Sequence, residues 1–218
     1  MDSPRLSRTV LAFLIGVPLA WGVLLLFHPG GDGKHIYADI TANMTAWMTV
    51  HVGMLVFIPL MAAAIYLLLR GVEGTAAKVS RIALVPFVIF YSAWETLQGI
   101  GNGALVDQVN DLAASERAVG AALVQDFAES PFVKDMGLLA LPGTLGLIVA
   151  LIAAGVALHR EAGAPLAVSA LLGISGFLIA AHPPPLGPTG LALFIVAVLL
   201  FALCRAAAPT AAPVPVVG

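Results

Sequence analysis

Long apolar stretches, separated by short polar segments, run through the whole chain. A helix needs about 20 residues to cross the roughly 30 Å of hydrocarbon in a bilayer. The pattern therefore predicts an all-α integral membrane bundle of six transmembrane helices, within a single domain over residues 1–205. The six predicted spans are approximately 9–27, 46–69, 82–103, 136–158, 165–181 and 189–204. The Ala- and Pro-rich residues 206–218 are predicted to form a disordered C-terminal tail.

Two segments outside the predicted spans carry a helical pattern of their own. The segment 28–45 begins with a run of Pro and Gly and then becomes compatible with a helix. The segment 104–134 places apolar residues at spacings near 3.6 with acidic residues between them, which is typical of an amphipathic helix. We therefore predict amphipathic extracytoplasmic helices beside the bundle. The apolar positions of the second segment are Leu105, Val109, Leu112, Val119, Leu123 and Phe127.

The composition favours the same class of protein. Hydrophobic residues make up 60% of the chain and charged residues 10%, whereas soluble domains have roughly 45–50% apolar and about 25% charged residues. This balance excludes a soluble enzyme. The net charge of −2, without a basic patch, argues against a nucleic-acid partner. Cys204 is the single cysteine, so the chain is not a disulfide scaffold, and the expected partner is the lipid bilayer.

The Lys and Arg residues predict how the bundle is oriented. With six spans and both termini on one side, most basic residues share that side and lie near the predicted helix ends. Because Lys and Arg concentrate in cytoplasmic loops, we expect both termini in the cytoplasm. The usage of Ala, Gly, Val and Arg suggests a bacterial plasma membrane. The expected cytoplasmic residues are Arg5, Arg8, Arg70, Lys78, Arg81, Arg160 and Arg205, against Lys34, Arg117 and Lys134 on the other side.

Two ionisable side chains lie inside the predicted spans, where a charge is costly and usually has a partner and a function. They are His51 in the second span and Glu95 in the third. At 1.5 Å per residue, His51 lies about 9 Å and Glu95 about 12 Å from the outer ends of their spans. Neighbouring antiparallel helices would bring them to the same level, so we predict that they form a catalytic acid/base pair.

Polar residues accompany Glu95 along one face of the third span, and aromatic residues flank them. We predict that they form the wall of a substrate pocket for a lipid-like or isoprenoid-like molecule. The alternative is that these polar groups only hydrogen-bond to each other between helices. The predicted pocket residues are Tyr91, Trp94, Gln98, Asn102 and, from the second span, Trp47.

His28 and His182 stand at the outer ends of the first and fifth predicted spans, and each precedes a proline. A histidine in this position can cap the terminal carbonyls of its helix. Together with His51 and Glu95, these residues also form a candidate ligand set for Zn, Fe or Cu. Haem is not favoured, because His51 has no second histidine at equal depth on a facing helix.

Met44 and Met48 lie one turn apart, on the same predicted helix face as His51. The spacing Met44-x-x-x-Met48 resembles the paired methionines of the Ctr-type copper transporters. The resemblance implies a Cu(I) site, since thioether and imidazole groups suit that ion. Methionine also fills gaps in helical cores without any ligand role, and both interpretations stay open here.

Three functions fit these features. The first is a membrane-embedded enzyme with an outward-facing His/Glu pocket, which uses acid/base or metal-assisted chemistry. The second is a transporter of a small solute, a proton or a metal ion. A transporter needs a polar path that continues through the inner half of the membrane. Residues 58–69 and 82–88, which are predicted to lie there, are almost entirely apolar. The third is a sensor or subunit without catalysis, for which Glu95→Gln would change no activity.

Overall fold

The computed structural model describes residues 7–30 and 33–207. These residues form seven helices and no β-strand, which confirms the all-α class for this part of the chain. The helices are α1 (Arg8–Leu25), α2 (Ile36–Leu68), α3 (Thr75–Asn110), α4 (Arg117–Ala128), α5 (Ala140–Ala162), α6 (Leu166–Ala180) and α7 (Leu186–Ala207).

Five of these helices, namely α1, α2, α3, α5 and α7, are long and apolar enough to cross a membrane. The remaining predicted span, 165–181, corresponds to α6. Its 15 residues measure about 22 Å, which is less than the roughly 30 Å of bilayer hydrocarbon. Pro183, Pro184 and Pro185 follow closely, and proline cannot continue a helix. The predicted tail 206–218 lies outside the described residues, apart from its first two.

Two helices extend well beyond their predicted spans. Helix α2 begins at Ile36 rather than near residue 46, and α3 continues on both sides of 82–103. The additional turns of α2 precede a kink at Asn43 (φ −136°, ψ 27°), whose Nδ2 donates to the carbonyl of Asp39 at 3.2 Å. The predicted amphipathic segment 104–134 therefore consists of the last turns of α3, a short loop, α4 and part of the loop that follows.

Six helices form a closed ring in the order α1, α2, α3, α5, α6 and α7, and α7 packs back on α1. Helix α4 lies beside this ring, against α2 and the last turns of α3. The large side chains that are fully buried in the interior include Trp21, Phe87, Phe194 and Phe201. The connections after α1, α3, α4 and α6 lie at the same end of the bundle, which we call the site end.

Helix α3 departs from α-helical geometry in two places. It is a π-helix at Phe87–Tyr91 and again at Glu95–Gly101. The first π segment follows Pro86, which has no N–H and clashes with the carbonyl one turn earlier. Helix α5 approaches this segment closely, since a Cβ at Gly146 would lie 2.6 Å from the backbone nitrogen of Phe87. Small residues thus fix α5 against α3.

Candidate functional site

Three imidazoles meet at the site end of the bundle. His28 follows α1, His51 lies inside α2, and His182 follows α6. One ring nitrogen of each histidine lies within 4.8 Å of those of the other two. His51 and His182 are 2% and 8% exposed, and His28 is partly buried. Three separate segments of the chain therefore place nitrogen donors around one point.

The carboxylate of Glu95 completes this group, which we call the His/Glu cluster. Its Oε2 lies 3.9 Å from Nε2 of His51, and its Oε1 lies 3.8 Å from Nδ1 of His182. Glu95 is 1% exposed, and its Oε1 has no hydrogen-bond partner among the described residues. A buried polar atom without a partner is costly. Oε1 of Glu95 is therefore available to a ligand bound beside the two imidazoles.

Backbone carbonyls fix the orientation of two imidazoles. Nδ1 of His28 lies 2.8 Å from the carbonyl of Pro29, and Nδ1 of His51 lies 2.8 Å from the carbonyl of Trp47. Because a carbonyl accepts, each Nδ1 carries the proton and each Nε2 carries the lone pair. Nε2 of His28 is buried without a hydrogen-bond partner in the described part of the chain. This arrangement is typical of metal-ligating histidines.

Burial disfavours the charged form of the two loop histidines. Desolvation lowers the pKa of His28. Desolvation also lowers the pKa of His182 well below 6.5, and the neighbouring imidazoles of His28 and His51 lower it further. His182 also contacts Tyr91, whose Oη lies 3.4 Å from its Nδ1. Neutral imidazole is the form that binds a metal ion. The electrostatics of these two residues therefore suit a metal ligand better than a cation.

Helix α3 holds His51 in place through the second π segment. The ring of His51 lies directly against Gly99, and any Cβ at that position would collide with it. Nε1 of Trp47 donates to the carbonyl of Gly99 at 2.7 Å, and the Trp47 and His51 rings are 4.3 Å apart between centroids. Glu95 begins the same π segment. Such segments are rare and occur frequently at functional sites.

The His/Glu cluster lines a cavity of about 330 Å³, a volume near the lower end of small-molecule pockets. The predicted pocket residues that line it are Trp47, Trp94 and Gln98. Tyr91 is fully buried and touches the cluster through His182. Asn102 lies one turn further along α3 and does not line the cavity, and its Nδ2 donates to the carbonyl of Gln98 at 2.8 Å.

Met44 and Met48 pack in a separate apolar cluster between α2, α3 and α4. Their neighbours there include Ile40, Val106 and Val109. The sulfur of Met48 lies against the position that a Cβ of Gly103 would occupy, and neither methionine lines the cavity. This placement favours the gap-filling interpretation of the two methionines over the Cu(I) interpretation.

Two acidic residues line the cavity although the sequence did not single them out. Asp39 precedes the kink of α2, and its Oδ2 is buried without a hydrogen-bond partner among the described residues. Asp135 lies in the loop 129–139, where desolvation raises the pKa of its carboxyl above 3.8. Acidic residues are common in loops and in the first turn of a helix, so neither position carries a signal in the sequence. Only the fold brings them to the cavity.

The three imidazole nitrogens form a donor set that suits Zn²⁺ or Fe²⁺, and the carboxylate of Glu95 lies beside it. No cysteine or methionine lines the cavity among the described residues, which argues against Cu(I).

No protein-family model matches the chain, and neither a curated protein nor a solved structure matches it. The function is therefore inferred from the geometry of the His/Glu cluster and its cavity.

Proposed function

We propose that this chain is a membrane-embedded, metal-dependent enzyme that acts on a lipid-like or isoprenoid-like substrate. His28, His51 and His182 bind Zn²⁺ or Fe²⁺, and Glu95 acts as general acid/base beside the metal. The observation that carries this proposal is the convergence of three buried or partly buried imidazoles with a carboxylate 3.8 and 3.9 Å from two of them.

The proposed placement is a bacterial plasma membrane crossed six times, with both termini in the cytoplasm. Five long apolar helices and the shorter α6 support six crossings. Arg70, Lys78 and Arg81 lie at the end of the bundle opposite the His/Glu cluster, in agreement with the positive-inside rule. His51 lies 17 residues before Leu68, or about 26 Å along the helix. The cluster then lies near the outer boundary of the hydrocarbon.

The number of protein ligands supports catalysis rather than a structural role. Structural zinc sites are closed by four protein ligands, whereas catalytic sites have three and an open position. A bound metal would act there as a Lewis acid towards a substrate oxygen. Glu95 lines the cavity beside His51 and His182, so its carboxyl group can exchange a proton with a substrate held there.

The inner half of the bundle argues against transport. Below the His/Glu cluster the interior contains fully buried apolar residues such as Met54, Ile58 and Met61. The buried polar side chains found there among the described residues are Ser80 and Ser175, and each donates to a backbone carbonyl at 2.8 or 2.9 Å. A polar path from the cavity to the other end of the bundle is therefore lacking in the described part of the chain.

Metal analysis of the purified protein tests this proposal. We expect about one Zn or Fe per wild-type chain, and loss of that metal in His51→Ala. His159→Ala is the matched control, because His159 lies at the other end of the bundle and its Nδ1 contacts the carbonyl of Ala164. A wild-type protein that binds neither Zn²⁺ nor Fe²⁺, or an equal loss in both variants, would contradict the proposal.

A further inference from the structure

A second cavity of about 400 Å³ adjoins the His/Glu cavity. It lies between α5 and α6, beneath the loop 129–139, and we call it the side groove. Its walls include Ala140 and Thr144 on α5 and Phe177 and Ala180 on α6. These residues are small or apolar, apart from the hydroxyl of Thr144. The side groove is therefore suited to a hydrocarbon chain rather than to a polar ligand.

The side groove and the His/Glu cavity share part of their walls. Trp94, Asp135, His182 and Pro183 line both. His182 is a proposed metal ligand, so a molecule that lies in the side groove reaches the metal with one of its ends. Continuity of this kind links an apolar binding region directly to the proposed reactive centre.

The side groove opens on the lateral face of the bundle. Phe177 on its wall is 57% exposed, and Met136 on its rim is 61% exposed. Met136 also has a left-handed backbone conformation (φ 59°), which is uncommon for a residue with a side chain and occurs often at binding sites. In the proposed membrane placement this face lies against lipid. A membrane-dissolved molecule therefore has access to the groove from the side.

The charges around the two cavities select the head group. Asp39, Glu95 and Asp135 line the His/Glu cavity, and no Lys or Arg lines either cavity among the described residues. Phosphate recognition normally uses arginine or lysine, so a phospholipid head group finds no basic side chain here. An uncharged ester, amide or alcohol group fits this acidic environment better.

We propose that the side groove binds the hydrocarbon tail of a single-chain amphiphile with an uncharged polar head, which enters from the bilayer and places its head between His182 and Glu95. This inference rests on the proposed metal-dependent function and specifies the substrate class. The volume of the groove, near the lower end of ligand pockets, suits one chain rather than the two chains of a membrane phospholipid.

The test uses the full-length protein in phosphatidylcholine nanodiscs. The probe is a long-chain fatty alcohol with a photoactivatable diazirine in mid-chain, and labelled peptides are mapped by mass spectrometry. We expect labelling of α5 and α6 along the side groove. The corresponding fatty phosphate should give only background labelling there, because no Lys or Arg lines either cavity among the described residues to pair with its charged head group.

Two variants make the result specific. Thr144→Trp fills the side groove and should abolish labelling, and Phe177→Ala removes an exposed wall and should reduce it without affecting the core. The matched control is Ala63→Trp, which adds the same bulk to a separate apolar groove between α2 and α3 and should leave labelling of α5 and α6 unchanged. Equal labelling of both grooves, or labelling that survives Thr144→Trp, would overturn the inference.

Metal content, measured on the same samples, separates this inference from the proposed function. Thr144→Trp should keep its metal, because Thr144 does not line the His/Glu cavity. Preference of the fatty phosphate over the alcohol would overturn the assignment of an uncharged head. A wild-type protein without metal that is still labelled along the side groove would contradict the metal-dependent function and support the groove.

Discussion

Gly99→Ala is the substitution that tests the geometry of the His/Glu cluster most directly. A Cβ at Gly99 would lie 2.6 Å from Cβ of His51, and closer still to its ring. Carbon atoms pack at about 3.5–4.0 Å, so His51 has to move by at least about 1 Å. Metal–ligand distances tolerate only about 0.2 Å of error. The added methyl group is therefore incompatible with His51 as a ligand in its present position.

The expected effect of Gly99→Ala on metal binding is large, and its effect on folding is small. We expect the metal affinity to fall by at least about 100-fold, the upper end of the range for loss of an outer-shell partner. Overpacking costs about 1–3 kcal/mol, and the helix gains about 0.5–1 kcal/mol when Gly becomes Ala. The variant should therefore remain folded while it loses the metal.

Gly101→Ala is the matched control on the same π segment. Its Cβ would lie 3.4 Å from the nearest atom, the carbonyl oxygen of Thr96, which is an ordinary contact. The assay is competition with a chelator of known affinity for Zn²⁺, together with circular dichroism on the same samples. Wild-type affinity in Gly99→Ala, or an equal loss in Gly101→Ala, would refute the reasoning about His51.

Four further substitutions, one of them a control, test the remaining contacts. Glu95→Gln should keep the metal, since three imidazoles remain, but weaken its affinity by about 10–100-fold in chelator competition; complete loss would make the carboxylate an essential ligand. Gly146→Ala should lower the free energy of unfolding by about 1–3 kcal/mol, because its Cβ would lie 2.6 Å from a backbone nitrogen of α3. The control Gly173→Ala, whose nearest contact is 3.7 Å, should leave the free energy of unfolding unchanged or raise it by up to about 1 kcal/mol. Trp94→Phe removes a 2.7 Å hydrogen bond to the loop 129–139 and should speed its deuterium exchange while the metal stays bound.

The sequence carried enough information to predict which side chains meet across α2 and α3. Helical rise and a short connection are sufficient to place His51 and Glu95 at one level, because consecutive antiparallel helices are usually neighbours. The distance of 3.9 Å between Nε2 of His51 and Oε2 of Glu95 agrees with the depths that helical rise predicts for the two residues. The catalytic role of both residues, and the metal role of His51, remain predictions. The all-α class followed from the apolar pattern alone.

Other features of the site depend on tertiary structure that a periodic pattern does not encode. His182 reaches Glu95 only because α6 lies beside α5 in a closed ring. The π geometry of Glu95–Gly101 changes which residues share a face, and Asn102 does not line the cavity in which regular helical spacing had placed it. Asp135 is brought to the cavity by a loop whose course depends on the hydrogen bond from Trp94.

The unequal lengths of the helices explain why the side groove beside the His/Glu cluster opens laterally. Ile36 lies 15 residues before His51, and Asn110 lies 15 residues after Glu95, so α2 and α3 each extend about 22 Å beyond the cluster. On the other side, α5 begins at Ala140 and α6 ends at Ala180, residues that line the side groove itself. One side of the cluster is therefore walled by helices, whereas the other is covered by the loop 129–139 alone. The short helix α6 thus both places His182 at the level of Glu95 and leaves the face through which we propose that the substrate enters.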